Sequence, residues 1–219
     1  MSKKTILCYG DSNTYGYSPL DRMRYPDDVR WTGVLQAALG DGYRVVEEGC
    51  NGRTAAHTPS DEEWKDGRPY LKACLNSHKP VDALVLMLGT NDLKREFAAS
   101  PEVIAAGIDE IMRTTAAFME LKQGSVPYIL VVSPPEIGEG ITTSEFADSY
   151  DADAVPRSKG LAAAYEAVAF NYAESTGCPC GFLDAARIIR PSDLDSLHLT
   201  PEAHAVLGTA VAQTLRAFL

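Results

Sequence analysis

Ala83-Leu84-Val85-Leu86-Met87-Leu88 and Tyr128-Ile129-Leu130-Val131-Val132 are two runs of sequence without a charged or strongly polar residue. A strand with one face in water alternates apolar and polar residues, so the lack of alternation predicts strands that are covered on both faces. Such burial is typical of a parallel sheet between two layers of helices. Three further short runs predict the other strands of a five-stranded sheet, at residues 5–9, 43–46 and 181–183.

Helical patterns lie between these runs. Apolar residues recur with helical spacing over residues 104–119, with Ser100 as a candidate N-cap, Pro101 in the first turn and Gly124 after the end. The same reasoning predicts helices over residues 31–39, over 158–174 and from Thr200 onwards. The alternation implies right-handed βαβ crossovers and an α/β fold, a three-layer αβα sandwich on a mainly parallel five-stranded sheet. We expect a single domain over residues 1–219.

Composition and charge restrict the class of partner. Hydrophobic residues make up 45% and charged residues 23% of the 219 residues, the balance of a globular domain with a sizeable core. The formal net charge of −10 repels nucleic acid and anionic lipid, and no apolar stretch has membrane-spanning length. The five cysteines are scattered, and the N-terminal segment lacks a signal-peptide cleavage site. We therefore expect a cytoplasmic protein whose partner is a small molecule, not nucleic acid or membrane.

Polar and ionisable side chains that could take part in catalysis follow the ends of the predicted strands. In a doubly wound sheet, ligands bind beyond the carboxyl ends of the strands. The first three strands run into Gly10-Asp11-Ser12, Glu48-Gly49-Cys50-Asn51-Gly52 and Gly89-Thr90-Asn91-Asp92. Asp195-Ser196-Leu197-His198 directly precedes the last helix. We expect these four segments to meet at one edge of the sheet.

Three of these residues have the chemistry of nucleophilic catalysis. A serine such as Ser12 is a weak nucleophile that needs an adjacent base. Histidine is the residue type whose ordinary pKa lies nearest neutral pH, so His198 is the natural candidate for that base. Asp195 precedes His198 by three residues, a spacing that lets the carboxylate reach the imidazole and fix its tautomer. Each also suits a structural role, as a helix cap or a salt-linked turn. The other histidines are expected at structural or solvated positions: His57, His78 and His204.

Two residues are candidate donors to a negatively charged oxygen. The Asn91 amide and the Gly52 N–H, together with the Ser12 N–H, could stabilise a tetrahedral intermediate. Asparagine and glycine are also common in plain turns, so neither is diagnostic alone. Proximity to the motifs suggests four substrate-binding candidates: Tyr15, Trp31, Arg53 and Phe97.

The ordered set Ser12, Gly52, Asn91 and His198 resembles the four sequence blocks of the SGNH (GDSL-like) hydrolases. The blocks are spread over nearly the whole chain. The resemblance implies a flavodoxin-like SGNH hydrolase fold, a Ser12–His198–Asp195 triad, an oxyanion hole and an acyl-enzyme intermediate, with no cofactor or metal. Asn13 stands where the GDSL motif has leucine, a position that is not catalytic in the family and bears on local packing or on the lining of the pocket.

Longer stretches resemble the bacterial arylesterase and acyltransferase branch of this family, among them residues 28–35, 87–92 and 131–135. Members of that branch cleave small acyl esters, especially of phenols, and some pass the acyl group to alcohols or hydrogen peroxide. Several form homo-oligomers, so the resemblance implies a tetramer or an octamer in which loops from neighbours narrow the entrance. Residues 134–156 have neither helical nor strand period and are the candidate for such a loop.

Other interpretations stay open from the sequence. The same site would serve a thioesterase, a lysophospholipase or a carbohydrate deacetylase. A non-catalytic, flavodoxin-like binding module would hold a nucleotide or phosphate at its strand ends, but no phosphate-binding glycine fingerprint follows a strand. Cys178-Pro179-Cys180 lacks both C-x-x-C spacing and a second ligand pair, so no metal site is predicted there.

Overall fold

The computed structural model describes residues 3–219 and is built around one five-stranded sheet. The strands are β1 (Lys4–Gly10), β2 (Tyr43–Gly49), β3 (Ala83–Met87), β4 (Tyr128–Ser133) and β5 (Cys180–Asp184). Every pairing is parallel, in the order β2-β1-β3-β4-β5. The predicted five-stranded α/β fold is confirmed, and the sheet is parallel throughout. This order brings the carboxyl ends of β1, β2 and β3 side by side.

Seven helices connect these strands in residues 3–219. They are α1 (Ser12–Tyr15), α2 (Trp31–Leu39), α3 (Gly67–His78), α4 (Pro101–Gln123), α5 (Ala154–Lys159), α6 (Leu161–Thr176) and α7 (Pro201–Arg216). The predicted caps of α4 are present: Ser100 Oγ accepts a hydrogen bond from the Val103 N–H, and Gly124 ends the helix with φ +74°. Within this part of the chain, none of the helices has the length and hydropathy needed to cross a membrane.

The two faces of β3 belong to two separate cores. Ala83, Val85 and Met87 lie in the cluster that α2 and α7 cover, whereas Leu84 and Leu86 lie in the cluster under α3, α4 and α6. All five side chains are at most 1% exposed. Because burial of one such aliphatic side chain contributes about 1.5–3 kcal/mol, both layers hold β3 firmly and fix the position of the segment that follows it.

Two helices differ from the prediction. The helix expected over residues 158–174 begins earlier and is interrupted at Gly160, where a Cβ would lie 2.7 Å from Pro101 Cγ. Glycine thus permits a close approach of the α5–α6 junction to the start of α4. The helix α3 was not predicted because its first turn is polar and contains a proline. Asp66 caps it by accepting the Arg68 N–H at 3.0 Å, and Leu71 on its inner face is buried.

The segment 134–156 has little regular structure, yet it is packed. It contains a 3₁₀ turn at Glu139–Thr143, and Ile137, Ile141 and Tyr150 are at most 3% exposed. The Gly138 N–H donates to the Ser196 carbonyl at 2.8 Å. The segment is therefore joined directly to the loop that carries Asp195 and His198.

Candidate active site

Ser12 lies at the carboxyl end of β1, as the first residue of α1. Asp11 caps this short helix through a hydrogen bond from the Asn13 N–H to Oδ1 at 3.0 Å. The N–H of a first helical residue has no acceptor within its own helix, so that of Ser12 can serve a ligand. Burial raises the pKa of the Asp11 carboxyl to about 6, and its Oδ2 has no hydrogen-bond partner in residues 3–219.

Asp195, His198 and Ser12 form a continuous chain of hydrogen bonds. His198 Nδ1 lies 2.7 Å from Asp195 Oδ2, and His198 Nε2 lies 2.9 Å from Ser12 Oγ. Burial works to raise the pKa of Asp195, but hydrogen bonds from His198 and its charge outweigh burial and bring that pKa below its usual value. An ionised Asp195 accepts a hydrogen bond from the Nδ1–H of His198, which leaves Nε2 as the acceptor for the Ser12 hydroxyl.

A tight turn aims the carboxylate of Asp195 at the imidazole. Asp195 Oδ1 accepts the backbone N–H groups of Leu197 at 3.0 Å and of His198 at 2.9 Å. Ser196 adopts a left-handed conformation with φ +61°, which reverses the chain between carboxylate and imidazole. The Ser192 N–H closes the turn by donating to the His198 carbonyl at 2.7 Å. The turn thus fixes the two side chains relative to each other.

Gly52 and Asn91 lie on neighbouring loops that are hydrogen-bonded together. The Asn91 Nδ2 donates one hydrogen to the Arg53 carbonyl at 3.1 Å, and its second amide hydrogen remains for another acceptor. Asp92 accepts the backbone N–H groups of residues 55–57 at 2.7–3.1 Å. Gly52 has φ +81°, a conformation that favours glycine. The Asp92 carboxylate therefore holds the Gly52 loop against the end of β3.

Ser12, His198 and the two candidate donors line one small pocket, and Asp195 lies outside its lining. Its volume is about 190 Å³, and beside Ser12, Gly52, Asn91 and His198 it is lined by Tyr17, Asn51, Lys65, Lys94, Phe146, Ser149, Tyr150 and Leu197. The Tyr17 ring lies 4.3 Å from the His198 ring, between centroids, and the Phe146 ring lies 5.3 Å away. Lys65 packs on the other side, where a Cβ on Gly52 would lie 2.9 Å from its Cδ.

Comparison with known protein families and structures gives this geometry a context. The sequence matches the family described as GDSL-like Lipase/Acylhydrolase over residues 8–206. The chain belongs to this family. The resemblance inferred from the sequence motifs is confirmed, and the family membership makes the protein a carboxylic ester hydrolase with an SGNH hydrolase fold.

Solved structures similar to this GDSL-like hydrolase include three bacterial esterases. The aryl esterase of M. smegmatis is 34% identical, with 99% of this chain and 100% of that chain covered and a TM-score of 0.89. Est24, a carbohydrate acetylesterase from Sinorhizobium meliloti, is 32% identical with the same coverage and a TM-score of 0.89. A putative arylesterase from Agrobacterium tumefaciens is 32% identical, also over 99% and 100%, with a TM-score of 0.86. A comparison with curated proteins found no significant match.

None of the four substrate-binding candidates lines the pocket of this hydrolase, so that expectation is corrected. Trp31 is 1% exposed and packs in the core at the start of α2. Arg53 Nη1 donates to the Gly10 carbonyl at 3.0 Å, and its guanidinium lies 4.2 Å from the Tyr9 ring. Tyr15 packs under the Arg24 guanidinium, and Phe97 stacks on His57. Proximity to a motif in sequence therefore did not place these residues in the lining of the pocket.

The pocket residues that the sequence does not predict come largely from segments without a motif. Phe146, Ser149 and Tyr150 lie in the irregular segment 134–156. Its length was the signal that it has a role, and it narrows the pocket of its own chain. Tyr17 lies just beyond the Ser12 helix, and Lys94 lies three residues after Asn91. Lys65 had no signal in sequence, because its approach to Gly52 depends on the packing of a polar loop.

Two histidines expected in solvent are partly buried and paired. His57 Nδ1 lies 3.0 Å from Asp92 Oδ1, and His78 Nε2 lies 2.8 Å from Glu48 Oε1. Glu48, Cys74 and His78 are the residues most able to hold a metal ion, since their ligand atoms lie within 4.8 Å of one another. Burial raises the pKa of the Cys74 thiol to about 12, so the thiol keeps its proton at neutral pH. The cluster lies outside the pocket, and its Glu48 carboxylate is hydrogen-bonded to His78.

Proposed function

We propose that this GDSL-like hydrolase is a serine esterase for short acyl esters that works through an acyl-enzyme on Ser12. The observation that carries the proposal is the hydrogen-bond chain from Asp195 through His198 to Ser12, with distances of 2.7 Å and 2.9 Å, at the wall of a pocket. A hydroxyl, a base and an orienting carboxylate in this arrangement constitute an activated nucleophile.

The reaction has two halves with the same proton carrier. His198 Nε2 takes the Ser12 hydroxyl proton while Oγ attacks the ester carbonyl carbon. The carbonyl oxygen becomes an oxyanion, which the N–H groups of Ser12 and Gly52 and the Asn91 amide stabilise. The intermediate collapses, the bond to the alcohol oxygen breaks, and His198 protonates the leaving alcohol. Water then gives a proton to His198, attacks the acyl-enzyme and releases the acid, and Ser12 Oγ regains its proton.

The size and walls of the pocket favour small esters. Its volume of about 190 Å³ lies below the roughly 300–1,000 Å³ that is usual for sites of drug-sized ligands. This argues against a lysophospholipase that holds a long acyl chain. Tyr17 and Phe146 lie beside His198, which protonates the leaving group, so they offer an apolar surface to a phenol. The similarity to the M. smegmatis aryl esterase supports the same substrate class.

Deacetylation of a carbohydrate is the second candidate. It is favoured by the similarity to Est24, the carbohydrate acetylesterase, which equals the similarity to the aryl esterase in TM-score. Both reactions remove a small acyl group and differ in the alcohol that leaves. Acetate release from phenyl acetate and from acetylated xylose, measured as kcat/KM, separates them. An aryl ester preference supports the first candidate, and a sugar ester preference supports the second.

Four further features stay predictions. Acyl transfer to alcohols or hydrogen peroxide and a homo-oligomeric state are implied by the resemblance. A cytoplasmic location and the lack of any nucleic-acid or membrane partner are expected from the composition and charge of the sequence. Size-exclusion chromatography with light scattering tests the oligomer, with a tetramer or an octamer expected. Ester formation from phenyl acetate and a primary alcohol in water tests acyl transfer.

Replacement of the nucleophile tests the main proposal. Ser12→Ala should lower kcat for phenyl acetate at least about a thousandfold, because residues of a triad act as a unit. Ser18→Ala is the matched control, since Ser18 is also buried and close in sequence but does not line the pocket. A folded Ser12→Ala variant with near-wild-type turnover would contradict the assignment.

A further inference from the structure

The charge in the pocket is opposite to the charge of the chain. The formal net charge of the chain is −10, yet two lysines, Lys65 and Lys94, line the pocket. Among residues 3–219, no aspartate or glutamate lines it. Asp195 lies behind the His198 ring and is 1% exposed. An acidic surface repels anions in general, so a local pair of lysines is the feature that would admit one.

The two lysines differ in how their charge is balanced. The Lys65 ammonium is paired with Glu62 and lies 5.2 Å from the Trp64 ring centroid. The Lys94 ammonium makes no ion pair or hydrogen bond with the part of the chain that the structure describes. Burial is the main cause that lowers the pKa of Lys94, and the positive charge of Lys65 adds to it. An ammonium on a partly buried side chain, without a protein partner, is available to pair with an anionic ligand.

The position of Lys94 relates it to the reacting ester. Lys94 follows Asn91 by three residues, and its N–H donates to the Asn91 carbonyl at 3.3 Å. Lys65 packs on Gly52, the other loop donor. Both lysines thus lie near the candidate oxyanion donors, whereas the rings of Tyr17 and Phe146 lie beside His198. An ester with its carbonyl oxygen at the donors would have one part beside the rings and a polar part within reach of the lysines.

Resting on the esterase function proposed above, we propose that the preferred substrates carry a carboxylate a few bonds from the scissile carbonyl and that Lys94 is the specificity-determining residue. The carboxylate pairs with the Lys94 ammonium, and Lys65 adds a weaker attraction because Glu62 offsets its charge. A charge-assisted hydrogen bond of this kind is stronger than one between neutral groups. The carboxylate can belong to the acyl part or to the alcohol part of the ester.

Two matched pairs of substrates test the proposal and separate these sources. In the first pair, monoethyl succinate carries the carboxylate on the acyl side, and ethyl 4-methylpentanoate has an uncharged isopropyl group in its place. Acetoxyacetate against isobutyl acetate places the carboxylate on the alcohol side. Acid release in a pH-stat gives kcat/KM for each ester. We expect the charged member to exceed its isostere about tenfold or more in at least one pair, and the excess to shrink as ionic strength rises.

Variants show whether Lys94 is responsible. Lys94→Met keeps the length of the side chain and removes the charge, and it should lower the charged-to-uncharged ratio of kcat/KM about tenfold. Lys65→Met should lower that ratio less. Lys72→Met, an exposed lysine on α3 outside the active-site pocket, is the control that should leave both ratios unchanged. Use of a ratio cancels any general loss of activity in a variant.

The outcomes distinguish this inference from the esterase function on which it rests. The inference is overturned, and the esterase function stands, if the wild-type protein hydrolyses the uncharged isosteres with the same kcat/KM as the charged esters. The same holds if Lys94→Met leaves both ratios of kcat/KM unchanged. If the folded wild-type protein hydrolyses none of the four esters and not phenyl acetate either, the esterase function itself fails.

Discussion

The side-chain oxygen of Asn13 accepts a hydrogen bond from the backbone N–H of Leu199 at 3.1 Å. Its Nδ2 donates to the Leu197 carbonyl at 3.4 Å. Asn13 directly follows Ser12, and Leu197 and Leu199 flank His198, so a single side chain joins the turn of the candidate nucleophile to the loop of its base. The sequence suggested a change in local packing or in the lining of the pocket at this position, whereas the structure shows a polar clamp across 186 residues of sequence.

Removal of this clamp should loosen the contact between Ser12 and His198. Asn13→Leu restores the residue of the GDSL motif but leaves a buried N–H and a buried carbonyl without their partner, at a cost of about 1–3 kcal/mol. We expect kcat for phenyl acetate to fall about tenfold, with KM nearly unchanged, because the geometry of proton transfer suffers and substrate contacts do not. Steady-state kinetics and a thermal melt measure the two effects.

A core variant separates this positioning effect from plain destabilisation. Ile108→Val removes one buried methylene from α4, away from the pocket, and should lower the melting temperature without lowering kcat. Equal kcat values for Asn13→Leu and the wild-type protein would show that Asn13 contributes only to packing.

Asn91 is expected to act in the transition state. Asn91→Ala removes one of three candidate oxyanion donors, and such a loss typically lowers kcat about a hundred- to a thousandfold while KM changes little. Asn76→Ala on the exposed face of α3 is the control. A loss in kcat below about threefold would exclude the Asn91 amide from the oxyanion hole.

Stability should fall in mild acid because of His204. This side chain is fully buried, and its Nδ1 accepts the Trp31 N–H at 3.2 Å. Burial, with a smaller effect of the Arg30 and His198 charges, lowers the pKa of His204 to about 4. The unfolded chain therefore binds more protons between pH 6.5 and about 4, and the contribution of neutral His204 to stability, complete above pH 6.5, is lost as the pH falls through this window.

Urea unfolding of the wild-type protein and of His204→Gln at pH 7 and pH 5 measures this effect. Between these values the wild-type protein should lose on the order of 2 kcal/mol more than the variant, because glutamine does not titrate. The burial of Asp11 acts with the opposite sign, since its raised pKa favours the folded state in acid, but it is common to both proteins. Parallel losses in the two proteins would contradict the role of His204.

The fold was largely predictable because its core strands are buried on both faces. A run such as residues 83–87 is apolar at every position, so both of its faces must be buried. Helix caps such as Ser100 and Gly124 are signals that can be recognised from the local sequence. The interruption at Gly160 and the helix α3 were harder to predict from the sequence. The interruption depends on a contact with Pro101, and α3 begins with polar residues.

The candidate site was predictable where short motifs carry it, and not elsewhere. Ser12, Asp195 and His198 lie in segments whose order along the chain is typical of the family, and the structure brings them within hydrogen-bond distance. The pocket wall depends on tertiary packing. Phe146 reaches it from the irregular segment 134–156, Lys65 reaches it from a 3₁₀ turn at Glu63–Lys65, and Trp31 packs in the core instead. No local pattern reports which way such side chains point.

Activation of Ser12 by His198 is tested by identifying, with intact mass and peptide mapping, the residue that a fluorophosphonate probe modifies. A serine activated by His198 attacks the phosphorus and keeps the label, whereas an ordinary serine hydroxyl does not react. We expect one label per chain, on Ser12, with loss of esterase activity in step with labelling and no label on His198→Ala. Full labelling at another serine, or an active esterase that the probe leaves unmodified, would contradict it.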